Sequence, residues 1–159
     1  MNRLSLMASF GLVLILLSSC QMSRQLSVHQ TNLKRLVNSN LSEQQKFDGL
    51  AEELVMVLEG AAGQASPLKT AKYLRKFSAQ NKASLNVLYD DLDNWIKGMK
   101  PGRKIAFAAG TLSQPYARKL VQLIPEVEQR VKNGGYRMGT MEKILLLYRL
   151  RKMVKNNGG

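Results

Sequence analysis

Along most of this chain apolar residues return every third or fourth position, the period of a helix with one buried face. The clearest stretch is Phe47, Leu50, Ala51, Leu54, Leu58 and Ala61, with Asp48, Glu52, Glu53 and Glu59 falling on the solvated side. Ser42 and Gln45 ahead of it make a capping box and glycines close it, so the pattern predicts a helix from about Ser42 to about Ala61. A longer seam follows: Leu74, Phe77, Asn81, Leu85, Leu88, Leu92 and Trp95 predict a helix from Ser66-Pro67 to about Met99, straight or bent across the weakly apolar stretch Ser78 to Ser84. Upstream, Ser27 and Gln30 read as another capping box, which predicts a short helix from about Val28 to Val37. Its stripe of Leu33, Leu36 and Val37 is thin enough to dock only weakly.

The second half continues the pattern. Lys100-Pro101-Gly102 is a break. Ile105 to Leu112 reads as a short helix packed closely on a neighbour or as a lone buried strand; with no strand partner in the rest of the chain, helix is preferred. Tyr116, Leu120, Leu123, Ile124, Val127 and Val131 mark a further helical face, and Pro125 inside it predicts a kink or a restart near Leu123. Thr140 opens a final helix with Ile144, Leu147, Leu150 and Val154 inward and an apolar surface broader than a surface helix needs. The fold expected is an all-α bundle of five or six helices.

One stretch departs from this period. Leu4 to Leu17 is almost continuously apolar, preceded by Arg3 and followed by Ser18-Ser19-Cys20. Fourteen helical residues reach only about 21 Å, short of a hydrocarbon core of about 30 Å, so the run fits a secretory signal peptide better than a membrane span. Leu17-Ser18-Ser19-Cys20 resembles the lipobox of bacterial lipoproteins. That resemblance implies cleavage before Cys20, acylation of Cys20 and a membrane-anchored mature protein, held firmly because two or more acyl chains anchor where one does not. It also implies a location in the cell envelope. Gln21 stands where Asp would retain an enteric-type lipoprotein at the inner membrane, which favours the outer membrane in a two-membrane host. The organisation expected is a signal peptide over 1–19, a lipidated cysteine and tether over 20–26, and a helical domain over 27–159.

Charge narrows the partners. The chain carries 24 Lys and Arg against 11 Asp and Glu, a net charge of +13. The excess lies after residue 62, which points to anionic partners and says nothing about fold. Cys20 is the single cysteine, so no disulfide or metal thiolate is available once it carries lipid.

Chemistry-bearing residues are sparse. His29 is the one histidine and reads as a surface or half-buried residue; Glu52 and Glu53 point about 100° apart on a helix and read as solvated. Asp90, Asp91 and Asp93 lack the loop of a calcium site and read as a solvated face. No nucleophile elbow and no phosphate-binding loop is present. Neither a metal site nor a cofactor is expected, and the chain does not read as an enzyme. Two basic clusters remain: Lys69, Lys72 and Lys76 share a helical face, as do Arg151, Lys152 and Lys155. They are the candidate contacts for an anionic partner. Nucleic acid is the poorer fit, since no recognition motif or aromatic platform accompanies the charge. The expected role is a lipid-anchored, non-catalytic adaptor or assembly factor of the envelope that binds a protein partner. The alternative is a basic envelope protein recognising anionic lipid, lipopolysaccharide or wall polymer.

Overall fold

The computed structural model describes residues 22–135. Cys20, the apolar leader, the expected final helix and the cluster Arg151, Lys152 and Lys155 lie outside the described residues. Those residues form five helices and no strand, an all-α bundle: α1 over 22–37, α2 over Glu43–Ala62, α3 over Pro67–Gly98, α4 over Pro101–Ser113 and α5 over Pro115–Asn133.

Local signals explain most boundaries. Ser42 caps α2 through the Gln45 amide, and the Gln45 side chain returns to the Ser42 amide, the expected capping box. Ser66 caps α3 through the Lys69 amide, with Pro67 in the first turn. Pro101 and Pro115 likewise stand in the first turns of α4 and α5, which have no side-chain cap. Downstream of its cap α3 is a single helix of 32 residues, about 48 Å long.

α1 departs from expectation at its start. The residues read as a tether, from Met22 on, are already helical, and the predicted capping box at Ser27 does not form. The Ser27 hydroxyl instead donates to the Arg24 carbonyl inside the helix, and Thr31 donates back to the Ser27 carbonyl. The extra turns bring in Leu26, so the inward stripe is Leu26, His29, Leu33 and Leu36, all buried. With three fully buried or nearly buried leucines it docks firmly, and the expectation of weak docking is corrected.

α2 is the central element, packed against both α3 and α5. Phe47, Leu50, Leu54, Val57 and Leu58 on α2 meet Leu74, Phe77, Leu85, Leu88 and Leu92 on α3, with Leu120, Val127 and Val131 of α5 closing the core. Trp95, expected in the seam, is half-buried, and Ile96 takes the inner position. α4 is helical as preferred, but it buries no residue, so the close packing expected of it is absent. Its inner side is held by Phe107, stacked edge-on between Phe47 at 5.0 Å and Trp95 at 5.2 Å. α5 continues through Pro125 as one helix. Val121, four residues earlier, is 72% exposed, so the carbonyl left without a donor sits on the wet side of the helix.

Candidate functional site

The first turns of α3, the end of α2 and the start of α1 converge on a groove of about 750 Å³. Its apolar lining comes from Met22 and Val28 on α1 and from Met56 on α2. Val28 and Met56 are large apolar residues left 52% and 43% exposed. Along one side run Lys69, Lys72 and Lys76, all exposed and all lining the groove. The face that their spacing implied is therefore real, and it borders the groove rather than bare solvent. The three ammonium groups are spread over about 10 Å of helix.

The positive edge is not cancelled from within. Glu59, the carboxylate on the opposite side, is engaged by Lys119 of α5 at 2.8 Å. Arg130 of α5 fixes the turn that carries the lysines: its guanidinium donates to the Gln64 carbonyl and, at 3.4 Å, to the Thr70 hydroxyl. Thr70 donates in turn to the Ala61 carbonyl at 3.1 Å. The link from α2 to α3 is thus clamped from behind by a charge-assisted donor, which sets the lysine side against the methionine side.

The groove's floor holds a polar cluster that sequence reasoning missed. His29 and Glu53 are buried, at 6% and 2% exposure, which corrects the reading of His29 as surface or half-buried and of Glu53 as solvated. The Glu53 carboxylate accepts from His29 Nδ1 at 2.5 Å and from the Asn32 amide at 3.0 Å. With its Nδ1 hydrogen directed at Glu53, the ring presents Nε2 as an acceptor to the Tyr73 hydroxyl, 2.8 Å away. Phe77 packs edge-on to the imidazole at 5.8 Å. Burial, with the nearby Glu53 charge adding to it, pushes the Tyr73 hydroxyl up to about 12, so it stays protonated at neutral pH. Both imidazole nitrogens are occupied and the phenol is held neutral. The cluster therefore ties α1 to α2 and α3 across the groove floor.

A signal for His29 did exist. Leu26, His29, Leu33 and Leu36 are spaced three, four and three apart, and His29 occupies a core register position once α1 is extended upstream. Glu53 falls between Leu50 and Val57 on one face of α2 in the same way. The acidic residues of α3 behave as read: Asp90 and Asp91 are exposed, and Asp93 pairs with Lys97 at 2.6 Å. Among the described residues no group of three or more His, Cys, Asp or Glu side chains is placed to hold a metal ion. No described helix is long and apolar enough to cross a membrane.

These features define a class: an all-α bundle with an apolar groove bordered by lysines on one side and braced by a buried Glu–His–Tyr cluster. Compared with protein-family models, with curated proteins and with solved structures, the chain matches none.

Proposed function

We propose that this protein is a lipid-anchored, non-catalytic adaptor or assembly factor of the bacterial cell envelope, and that its groove receives an amphipathic helix of a protein partner. The reading rests on one juxtaposition: methionine and valine side chains facing three lysines across about 750 Å³. Exposed methionines adapt to a partner's apolar side chains, and a groove of this kind takes the apolar face of a helix through residues one turn apart. Lys69, Lys72 and Lys76 then select acidic residues at matching spacing on the same helix, which adds specificity and association rate more than raw affinity. The anchor is supplied by the lipobox-like Leu17-Ser18-Ser19-Cys20, and Gln21 in place of Asp favours the outer membrane in a two-membrane host.

The test is site-specific photocrosslinking in intact envelopes, with a photoreactive amino acid at Met56. The expected result is a single protein adduct whose crosslinked peptide is helical in pattern and acidic. Charge reversal of Lys69, Lys72 and Lys76 to Glu should remove that adduct without unfolding the chain, since all three are exposed. Crosslinking to lipid or polysaccharide alone would transfer the groove to the anionic-envelope reading. An adduct indifferent to the charge reversal would remove the lysines from the site.

A further inference from the structure

A second surface lies on α4, and it carries a different kind of recognition. Phe107 and Thr111 lie on the body side of this helix, while Ile105, Ala106, Ala109 and Leu112 lie on the outer side and are exposed. Ile105 and Leu112, two turns apart, are 66% and 64% exposed. Plotted at 100° per residue, the arc through these four positions contains no charged side chain; exposed Arg103 lies beyond one edge of it, and half-buried Lys104 lies next to Thr111, toward the body side.

The charge around α4 has one sign. Between residues 94 and 125 there are six Lys or Arg and no Asp or Glu. Asp93 and Glu59 reach in to pair Lys97 and Lys119. Lys100, Arg103 and Lys104 sit at the helix start, where the backbone dipole already presents partial positive charge and where acidic residues are the stabilising choice. An arrangement that works against its own helix becomes favourable opposite a surface of negative charge. An apolar strip flanked by bases, with long Lys and Arg stems able to lift their charges toward headgroups, is the design of a helix lying in a membrane interface.

We propose that the outer face of α4 docks on an anionic lipid bilayer, with Ile105 and Leu112 entering the acyl boundary and Lys100 and Arg103 facing phosphates. A second copy of this chain is the poorer occupant, because face-to-face pairing of two α4 helices would bring like charges together. The inference is independent of what the groove holds.

Because the full chain has an apolar leader of its own, vesicle binding as such is no readout and the position of contact must be read. In the full chain with Cys20→Ser, an environment-sensitive dye is attached at Ala109→Cys, or at Lys82→Cys on the exposed side of α3 as control. Equimolar phosphatidylglycerol and phosphatidylcholine vesicles should shield the Ala109 dye from an aqueous quencher and leave the Lys82 dye open. Pure phosphatidylcholine should not shield it, and neither should the anionic vesicles near 0.5 M salt, where the Debye length is about 4 Å. Adding Ile105→Asp and Leu112→Asp should restore quenching at Ala109 with helical circular dichroism unchanged. An Ala109 dye equally open with and without anionic vesicles would overturn the proposal, as would equal shielding by neutral vesicles or joint shielding of both dyes. So would shielding before any vesicle is added, which would assign the face to residues 136–159 or, if lost on dilution, to a second copy.

Discussion

At the floor of the groove one phenol hydrogen decides a local balance. The Tyr73 hydroxyl is buried, bonded to His29 Nε2 and held up to about 12, against about 10 for an exposed tyrosine. A raised folded value means that the folded state keeps its proton where the unfolded chain has lost it, so this contribution is complete below pH 10 and is lost as pH rises toward 12. Tyr73→Phe should cost about 1–2 kcal/mol at pH 7 by leaving a buried acceptor unmade. The gap between wild type and variant, read from urea midpoints, should then shrink between pH 10 and 12; a constant gap would mean that the hydroxyl does not couple to folding. The same cluster shows why residue-scale reading fell short. His29 and Glu53 are each polar residues at core register positions, and a rule that sends charge to solvent moves them outward one at a time. Only as a pair, 24 residues apart and joined at 2.5 Å, are they compatible with burial.

At the scale of helices, close approach separates two glycines that look alike in sequence. A Cβ at Gly49 would meet Leu36 Cδ2 at 2.8 Å, the far end of a side chain that can turn aside. A Cβ at Gly60 would meet the Tyr73 hydroxyl at 2.6 Å, on a rigid ring that is 0% exposed and bonded to His29. Replacing a helical glycine by alanine gains about 1 kcal/mol of helix propensity, so Gly49→Ala should be neutral or mildly stabilising. Gly60→Ala must push Tyr73 off its partner and should lower stability by at least about 1 kcal/mol. Thermal unfolding of the two variants checks the order, and a more stable Gly60→Ala would show that α2 and α3 approach less closely than described. Helix starts were legible because caps and prolines act within four residues, as at Ser42, Ser66 and Pro115. The start of α1 was not, because Ser27 offers the same side-chain oxygen whether it caps a helix or bonds back within one. The single α3 and the unbroken α5 were open because neither Ser78–Ser84 nor Pro125 carries a local signal that decides between a bend and a continuous helix.

For the molecule as a whole, the bundle could be read from periodicity alone, whereas the groove could not, since it needs the start of α1 brought against the corner between α2 and α3. What the sequence did contain was one side of it, the lysine face of α3. The position of the groove links it to the chain's beginning. Met22 lines the groove and stands two residues after Cys20, at most about 7 Å of extended chain. An acylated Cys20 would therefore hold the groove at headgroup level and raise the local concentration of any partner displayed on the same membrane. If α4 rests on that bilayer as well, the two attachments lie toward opposite ends of a helix about 48 Å long, and α3 runs along the membrane instead of standing on it. Cys20→Ser should accordingly do two separable things. Labelled fatty acid should no longer enter the chain, and the Met56 adduct should fall in envelopes while the folded domain keeps its urea midpoint. Mass spectrometry of the native product decides the premise: the mature chain should begin at a diacylglyceryl Cys20, and an unmodified amino terminus on a membrane-bound chain would require a different anchor.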